Sequence, residues 1–209
     1  MRDWSKLGQG ERDLAYGPVL SVLEKQFPED RNKVKVLVPG CGLGRLVWEC
    51  YSRGFNTEGP DHFDKNNFTT FHDPPTGNEF SLYMLFVSSF ILNKCSDIGP
   101  GEFQYQIYPF IHERDNVLKW TDVETEVKFP DVNILTTQIE GGQMNMSMGE
   151  FLDVYQTPDS FDSILSVFFI DTAHNVADYI EKFHKILRKG GLWVCLRLYE
   201  PNNSFSSDK

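Results

Sequence analysis

Three glycines at alternate positions, Gly40, Gly42 and Gly44, follow directly on the apolar run Val34-Lys35-Val36-Leu37-Val38-Pro39. Glycine is needed where backbone must take positive φ or pass a ligand with no Cβ in the way. The run before the glycines reads as a buried parallel strand. After them, Leu43, Leu46, Val47, Cys50 and Tyr51 have helical spacing. A glycine turn between strand and helix lies at the carboxyl end of a sheet, where α/β folds bind ligands beside a helix N-terminus. Asp171 is the second candidate. It follows the apolar run 161–170, which would deliver its carboxylate to the same edge.

The triplet is not the G-x-G-x-x-G dinucleotide fingerprint, and no Lys-Ser/Thr pair follows to make a P-loop. G-x-G-x-G after a first strand is the form associated with S-adenosyl-L-methionine (SAM) sites of class I methyltransferases. Those sites seat a nucleoside bearing an amino acid, with no phosphate to cradle. An ordinary glycine-rich βα turn is the competing interpretation, and the triplet alone leaves the two near even.

A nucleoside site also needs an acid for the ribose hydroxyls and a polar group for the adenine amine. Glu58 stands near the usual separation of about 20 residues from such a turn, and spacing selects it. Glu79 lies beyond a long polar loop. Glu150, in Ser147-Met148-Gly149-Glu150-Phe151, could accept from the adenine amine, with Phe151 beside the ring. The same S-x-x-E pattern is a capping box, in which Ser147 starts a helix and Glu150 closes it. Asp171 has its own structural alternative, as cap of a helix starting near Asn175.

His174 could take a proton near neutral pH, although one histidine near a helix start is more often structural. His62 and His72 read as solvated loop residues, and His112 and His184 have no informative context. Asp61, His62, Asp64, His72 and Asp73 match no metal-site spacing, so no metal is expected.

The elements that must position these groups alternate. Residues 11–27 form a helical face interrupted by Pro18. A strand over 34–38, a helix over 43–53 and a short strand over 55–59 follow. Residues 60–77 are a polar loop longer than compact domains normally use. Residues 81–94 read as a buried helix, apolar nearly all round. Residues 99–143 are irregular. Residues 147–155 are a loop opening a short helix, and 161–170 are a buried strand. An amphipathic helix over 175–187 is stopped by Lys189-Gly190-Gly191, and a last strand begins at 192–196. Strands that are apolar throughout and alternate with helices make a mostly parallel sheet covered on both faces.

A chain of 209 residues, 40% hydrophobic and 14% aromatic, can bury a substantial core. Its formal charge of −10 and the absence of a basic run argue against nucleic acid or an anionic membrane as partner. Cys41, Cys50, Cys95 and Cys195 are scattered, without C-x-x-C, as expected for reduced thiols of a cytoplasmic or nuclear protein. Met1 is followed by Arg2-Asp3-Trp4 and not by the regions of a secretory leader. The apolar stretch from Phe80 to Leu92 is too short to span a bilayer.

Several separated blocks, in order, resemble the carnosine N-methyltransferase family, the N2227-type SAM-dependent methyltransferases. They are Arg2-Asp3-Trp4-Ser5, Glu11-Arg12-Asp13, Val38-Pro39-Gly40-Cys41-Gly42-Leu43-Gly44-Arg45-Leu46, Gly77-Asn78-Glu79-Phe80-Ser81, Phe168-Phe169-Ile170-Asp171-Thr172-Ala173-His174-Asn175-Val176 and Leu187-Arg188-Lys189-Gly190-Gly191. The resemblance implies a class I, Rossmann-like methyltransferase fold over residues 1–196, with a helical part over 1–30. It implies methyl transfer from SAM to an imidazole nitrogen of carnosine or a related histidine-containing dipeptide, giving anserine.

Carried over position by position, the resemblance sets Arg2, Gly40, Gly42, Gly44, Glu79, Glu150 and Phe151 around SAM and Asp171 on the substrate imidazole. It overrules the spacing choice of Glu58. Against the family pattern, residues 60–77 are an insertion and 197–209 a divergent polar tail. The chain is also short at both ends, so the last strands of the sheet are expected to be missing. Two rival functions remain: a catalytically inactive SAM-binding or interaction protein, and an NAD-binding oxidoreductase, which the glycine spacing disfavours. A homodimer is neither required nor excluded.

Overall fold

The computed structural model describes residues 1–55, 77–95, 105–112, 119–134 and 144–197. Five strands form one sheet in the order β5-β2-β1-β6-β7: β1 is Val36–Pro39, β2 Gly77–Glu79, β5 Met146–Met148, β6 Phe161–Val167 and β7 Leu187–Leu196. Every pairing among them is parallel. From β1 the chain runs outward on one side to β2 and β5, then crosses to β6 on the other side. The strand order therefore reverses at β1 and β6. In open α/β sheets a crevice opens at that place, outside the carboxyl ends of the strands.

Alternation along the central strands divides the core into two layers. Val36, Val38, Leu165 and Val167 face a cluster built with Tyr16, Val19, Leu20 and Leu23 of α1 (Gln9–Gln26) and with Leu46, Val47 and Cys50 of α2 (Arg45–Ser52). Leu37 and Ile164 face the opposite layer. There they meet Phe151 and Tyr155, at and beyond α4 (Phe151–Val154), and Tyr179, Phe183 and Ile186 of α5 (Val176–Ile186). Helices thus cover both faces, as the apolar strands require. Outside this sheet, β3 (Tyr105–Ile107) and β4 (Val127–Phe129) form an antiparallel pair.

Four expectations need correction. Pro18 does not interrupt α1, which runs on to Gln26. Leu14, Gly17 and Pro18 are all exposed, so the Leu14 carbonyl that proline cannot serve lies on the solvent side. The strand beside β1 is Gly77–Glu79; of the short strand expected over 55–59 only Phe55, a fully buried core residue, is described, and the rest, Glu58 included, lies outside the described residues. The third helix, α3 (Leu82–Asn93), is not buried all round: it buries Ser88 and Ile91, while Tyr83 and Phe86 are 85% and 66% exposed. It packs along one edge, over β2 and β5 at the side of the sheet.

Ser147 lies in β5 and starts no helix. Finally, Lys189-Gly190-Gly191 is not a helix stop. The helix ends at Ile186, and the two glycines sit inside β7. Its register against β6 jumps there from Phe161↔Leu187 to Ser163↔Leu192. Gly190, at φ 81°, supplies the backbone that such a bulge needs.

Candidate functional site

Pro39 ends β1, and the next turn is built on positive φ: 62° at Gly40, 56° at Gly42 and 79° at Gly44. The three glycines serve different ends. A Cβ on Gly40 would run into the Phe169 ring, and one on Gly44 would stand 3.0 Å from Met146 Sδ. At Gly42 the nearest atom is Asp3 Oδ2, 3.7 Å away, so that position opens onto space instead of packing. The Cys41 N–H donates to the Asn78 carbonyl at 3.0 Å, tying the turn to β2. The Cys41 thiol is a bystander, since burial and the nearby Glu79 push its pKa up and keep it neutral.

Glu79 ends β2 and braces the turn. Its Oε2 accepts the Gly42 N–H and its Oε1 the Ser81 N–H, both at 2.8 Å. A carboxylate has about four lone-pair positions, so each oxygen keeps room for one further donor. Neighbouring Asn78 is buried and donates through Nδ2 to the Gly149 carbonyl at 3.1 Å, while the Gly149 N–H donates to the Glu79 carbonyl at 3.2 Å. These bonds bring Glu150 to the same edge of the sheet.

Glu150 is exposed and precedes α4 without a side-chain cap bond. The capping box is therefore not formed. The Ser147 hydroxyl instead donates to the Gly77 carbonyl at 3.4 Å and lies 3.2 Å from Tyr155 Oη. Phe151 is 2% exposed, its ring packed among Tyr155, Phe169, Tyr179 and Phe183 at centroid distances of 5.1–5.7 Å. Its ring therefore belongs to the core and offers no free face beside Glu150. It supports Phe169, the residue that abuts Gly40.

On the open side of the turn lies the N-terminal arm. Asp3 is 5% exposed, and its Oδ1 accepts both Arg2 Nε at 3.0 Å and the Tyr16 hydroxyl at 2.9 Å. Burial, then Asp3, pushes the Tyr16 pKa up, so the phenol stays a donor. The Arg2 guanidinium stands 5.2 Å from the Phe168 ring and 5.9 Å from the Tyr16 ring, with its side chain 35% exposed. Burial opposes its charge, but Tyr16 and Asp3 outweigh that and hold the pKa above its ordinary value.

Phe168, the first residue after β6, has φ 54°, which costs a non-glycine residue about 1–2 kcal/mol. Its N–H donates to the Leu196 carbonyl at 3.0 Å, which helps hold this conformation. The strained residue turns the chain into a 3-10 turn over Ile170–Thr172 that carries Asp171, exposed. Asp171 does not cap α5. Asn175 does, its Oδ1 accepting the Ala177 N–H at 3.1 Å. Because β1 and β6 are neighbours, Asp171 and the glycine turn leave the sheet at the same edge.

Arg2, Gly40, Gly42, Gly44 and Glu79 are thus gathered around one turn, with Glu150 and Asp171 at the same edge of the sheet. His112, His174 and His184 are exposed. Asp61, His62, Asp64, His72 and Asp73 lie outside the described residues, among which no group of three or more His, Cys, Asp or Glu could hold a metal ion. Sequence reasoning missed Asp3, Tyr16 and Phe169. Asp3 and Phe169 stood inside the resembling blocks, one residue from Arg2 and two from Asp171.

No described helix is long and apolar enough to cross a membrane. A family model described as carnosine N-methyltransferase matches residues 1–197. The chain is 39% identical over 199 residues to a carnosine N-methyltransferase of Mus musculus, covering 94% of this chain and 44% of the relative. It is 37% identical over 198 residues to carnosine N-methyltransferase unmet of Drosophila melanogaster, covering 93% and 38%. To a carnosine N-methyltransferase of Schizosaccharomyces pombe it is 36% identical over 203 residues, covering 93% and 48%. The chain spans less than half the length of these relatives.

Proposed function

The chain belongs to the carnosine N-methyltransferase family, and from that premise we propose that residues 1–196 bind SAM on the Gly40–Gly44 turn and methylate an imidazole nitrogen of carnosine or a related histidine-containing dipeptide, giving anserine or its counterpart. Family membership favours this over a binding-only role.

The Glu79 bridge carries the reading. One carboxylate holds the Gly42 and Ser81 N–H groups and keeps one acceptor position free on each oxygen. Two such positions suit the two hydroxyls of a ribose, and the open space at Gly42 lets a nucleoside approach the backbone. Glu150, exposed and without a cap bond, is free to accept the adenine amine. Phe151 contributes by fixing Phe169 behind Gly40, not by offering its ring. Arg2 meets the carboxylate of the amino-acid end, the one anionic group of such a ligand.

When bound, SAM supplies an electrophilic methyl group on a sulfonium. What this chain must add is position and proton control, since an imidazole nitrogen is already nucleophilic. Asp171 accepts the N–H of the far ring nitrogen, which fixes the tautomer and turns the free nitrogen toward the donor. As the N–C bond forms and the S–C bond breaks, the ring becomes cationic, and the carboxylate stabilises that charge. The proton on the far nitrogen then leaves through Asp171 to water.

Calorimetric titration of the chain with SAM, followed by mass spectrometry of carnosine incubated with both, tests the proposal. Saturable binding and a mass gain of one methylene on the imidazole are expected. A chain that binds no SAM overturns the reading.

A further inference from the structure

We infer, resting on the donor reading above, that Asp131 is a positioning residue of the donor site: it fastens the two arginines that hold residues 1–5, and so Arg2 and Asp3, against the glycine turn. Asp131 follows Pro130, in a segment with no motif. Its side chain is 8% exposed, with Oδ2 on Arg12 Nη2 and Oδ1 on Arg45 Nη1, the latter at 2.6 Å.

The two guanidinium groups reach past Asp131 to the arm. Arg12 Nη1 donates to the carbonyls of Arg2 and Ser5, the second at 2.8 Å, and Arg45 Nη1 donates to the Asp3 carbonyl at 3.0 Å. The Asp131 N–H itself donates to the Trp4 carbonyl at 3.1 Å. The Met1 carbonyl is taken by the Ser5 hydroxyl at 2.8 Å. Every backbone carbonyl from Met1 to Ser5 therefore has a donor: those of Arg2 and Asp3 are served by the two arginines, that of Trp4 by the Asp131 N–H, and that of Ser5 by Arg12 together with the Gly8 N–H at 3.1 Å. The Trp4 indole N–H donates to the Leu43 carbonyl at 2.9 Å, which docks the arm onto the turn. The Arg45 guanidinium stands beside both the Trp4 and Trp48 rings, 5.0 Å and 4.8 Å from their centroids.

Arg12 and Arg45 are 6% and 5% exposed, and cations so deeply buried persist only when paired. Among the described residues Asp131 is the one acid shared by both. Without its charge Arg12 loses its acid partner and Arg45 is left with Glu49, so the donors to the Arg2 and Asp3 carbonyls are no longer fixed in place and Arg2 is not held firmly beside Phe168 and Tyr16. The arm would then fail at one specific task, meeting the amino-acid end of the donor.

The test compares the unaltered chain with Asp131→Asn, Asp131→Glu and Arg12→Lys. Arg12→Lys keeps the charge balance but cannot serve Asp131, Arg2 and Ser5 together, and it carries the test should Asp131→Asn not fold. Binding of S-adenosylhomocysteine, which has the amino-acid end, and of adenosine, which lacks it, is measured by calorimetry. Amide hydrogen exchange is followed over residues 1–8.

In Asp131→Asn and Arg12→Lys, exchange in the arm should speed up. Affinity for S-adenosylhomocysteine should fall at least about tenfold, with adenosine changed less than about twofold. Asp131→Glu should recover part of the loss. Equal loss of both ligands, or unchanged affinity with a lowered Tm, overturns the proposal and leaves the cluster a role in folding alone. An unaltered chain that binds neither ligand overturns the donor reading, and the positioning role with it, while the exchange data still report whether the arm is fastened.

Discussion

The Phe169 ring fills the space where a side chain at Gly40 would begin, so the second residue after β6 and the turn after β1 are fitted to each other. Phe169 is fixed in turn by stacking on Tyr179, at a centroid distance of 4.9 Å, and by the edge of Phe151. Gly40→Ala therefore meets two obstacles, a φ of 62° and an occupied site. The backbone conformation alone costs an alanine about 1–2 kcal/mol, and displacing the ring adds to it. The expected result is a lowered Tm together with weaker binding of S-adenosylhomocysteine. A variant with unchanged melting and affinity would contradict the fit.

Glu79→Gln tests the bridge. Glutamine has one acceptor oxygen, so either Gly42 or Ser81 would face an NH2 group in place of an acceptor. Hydrogen bonds to a charged partner are worth about 1.5–3 kcal/mol. Affinity for adenosine and S-adenosylhomocysteine should fall together, by about 10–100-fold, since both carry the ribose. 2′-Deoxyadenosine should lose less. Equal sensitivity of the deoxy compound would mean that Glu79 shapes the turn without touching the sugar.

The parts of this fold that read plainly from sequence were those whose cause is local. Val36, Leu37 and Val38 are apolar on both faces of a strand because both faces are buried, and the glycines follow because the backbone there needs positive φ. Asp171 was legible for the same reason, as a polar residue closing an apolar run. Glu79 was not, because spacing favours Glu58 and only strand pairing with β1 makes Gly77–Glu79 the neighbour. The apolar surround of α3 says what its residues are and nothing of what covers them. Gly190 looked like a helix stop because the same positive φ serves a bulge. Asp131 was invisible: its partners Arg45 and Arg12 lie 86 and 119 residues away in sequence, and no pattern in its own segment announces them.

Glu49 gives the arginine cluster a pH signature. Its side chain is 16% exposed and bonds Arg45 and Arg53. Burial works against its charge, but the Arg53 hydrogen bond and then Arg45 outweigh it and hold the carboxyl below its ordinary value. The folded value being lower than the unfolded one, the native state binds fewer protons in acid. Its stabilisation is complete above the unfolded value of about 4.3 and is lost as pH falls through the folded value. Glu49→Gln should be less stable than the unaltered chain near neutral pH by about 1–3 kcal/mol, with the gap closing below about pH 4. Urea midpoints across that range measure it, and a gap that ignores pH would contradict the assignment.

Asp171 is exposed, belongs to no cap and lies past the end of β6, so little of the fold depends on it. Asp171→Asn should keep stability within about 0.5 kcal/mol and leave binding of S-adenosylhomocysteine unchanged. What it should lose is turnover. An asparagine oxygen can still accept the imidazole N–H, but it brings no charge to the cationic ring that forms and cannot take its proton. A fall in kcat of about 10²–10⁴-fold is expected where methyl transfer to carnosine is measurable, with a smaller change in KM for carnosine. The ring is neutral when it binds, so the charge matters most as the new bond forms. Methylation of N-methylated imidazole analogues, which have no far N–H to hold, should be slow in the unaltered chain and indifferent to the substitution. Equal turnover by both proteins on carnosine would remove Asp171 from the reaction.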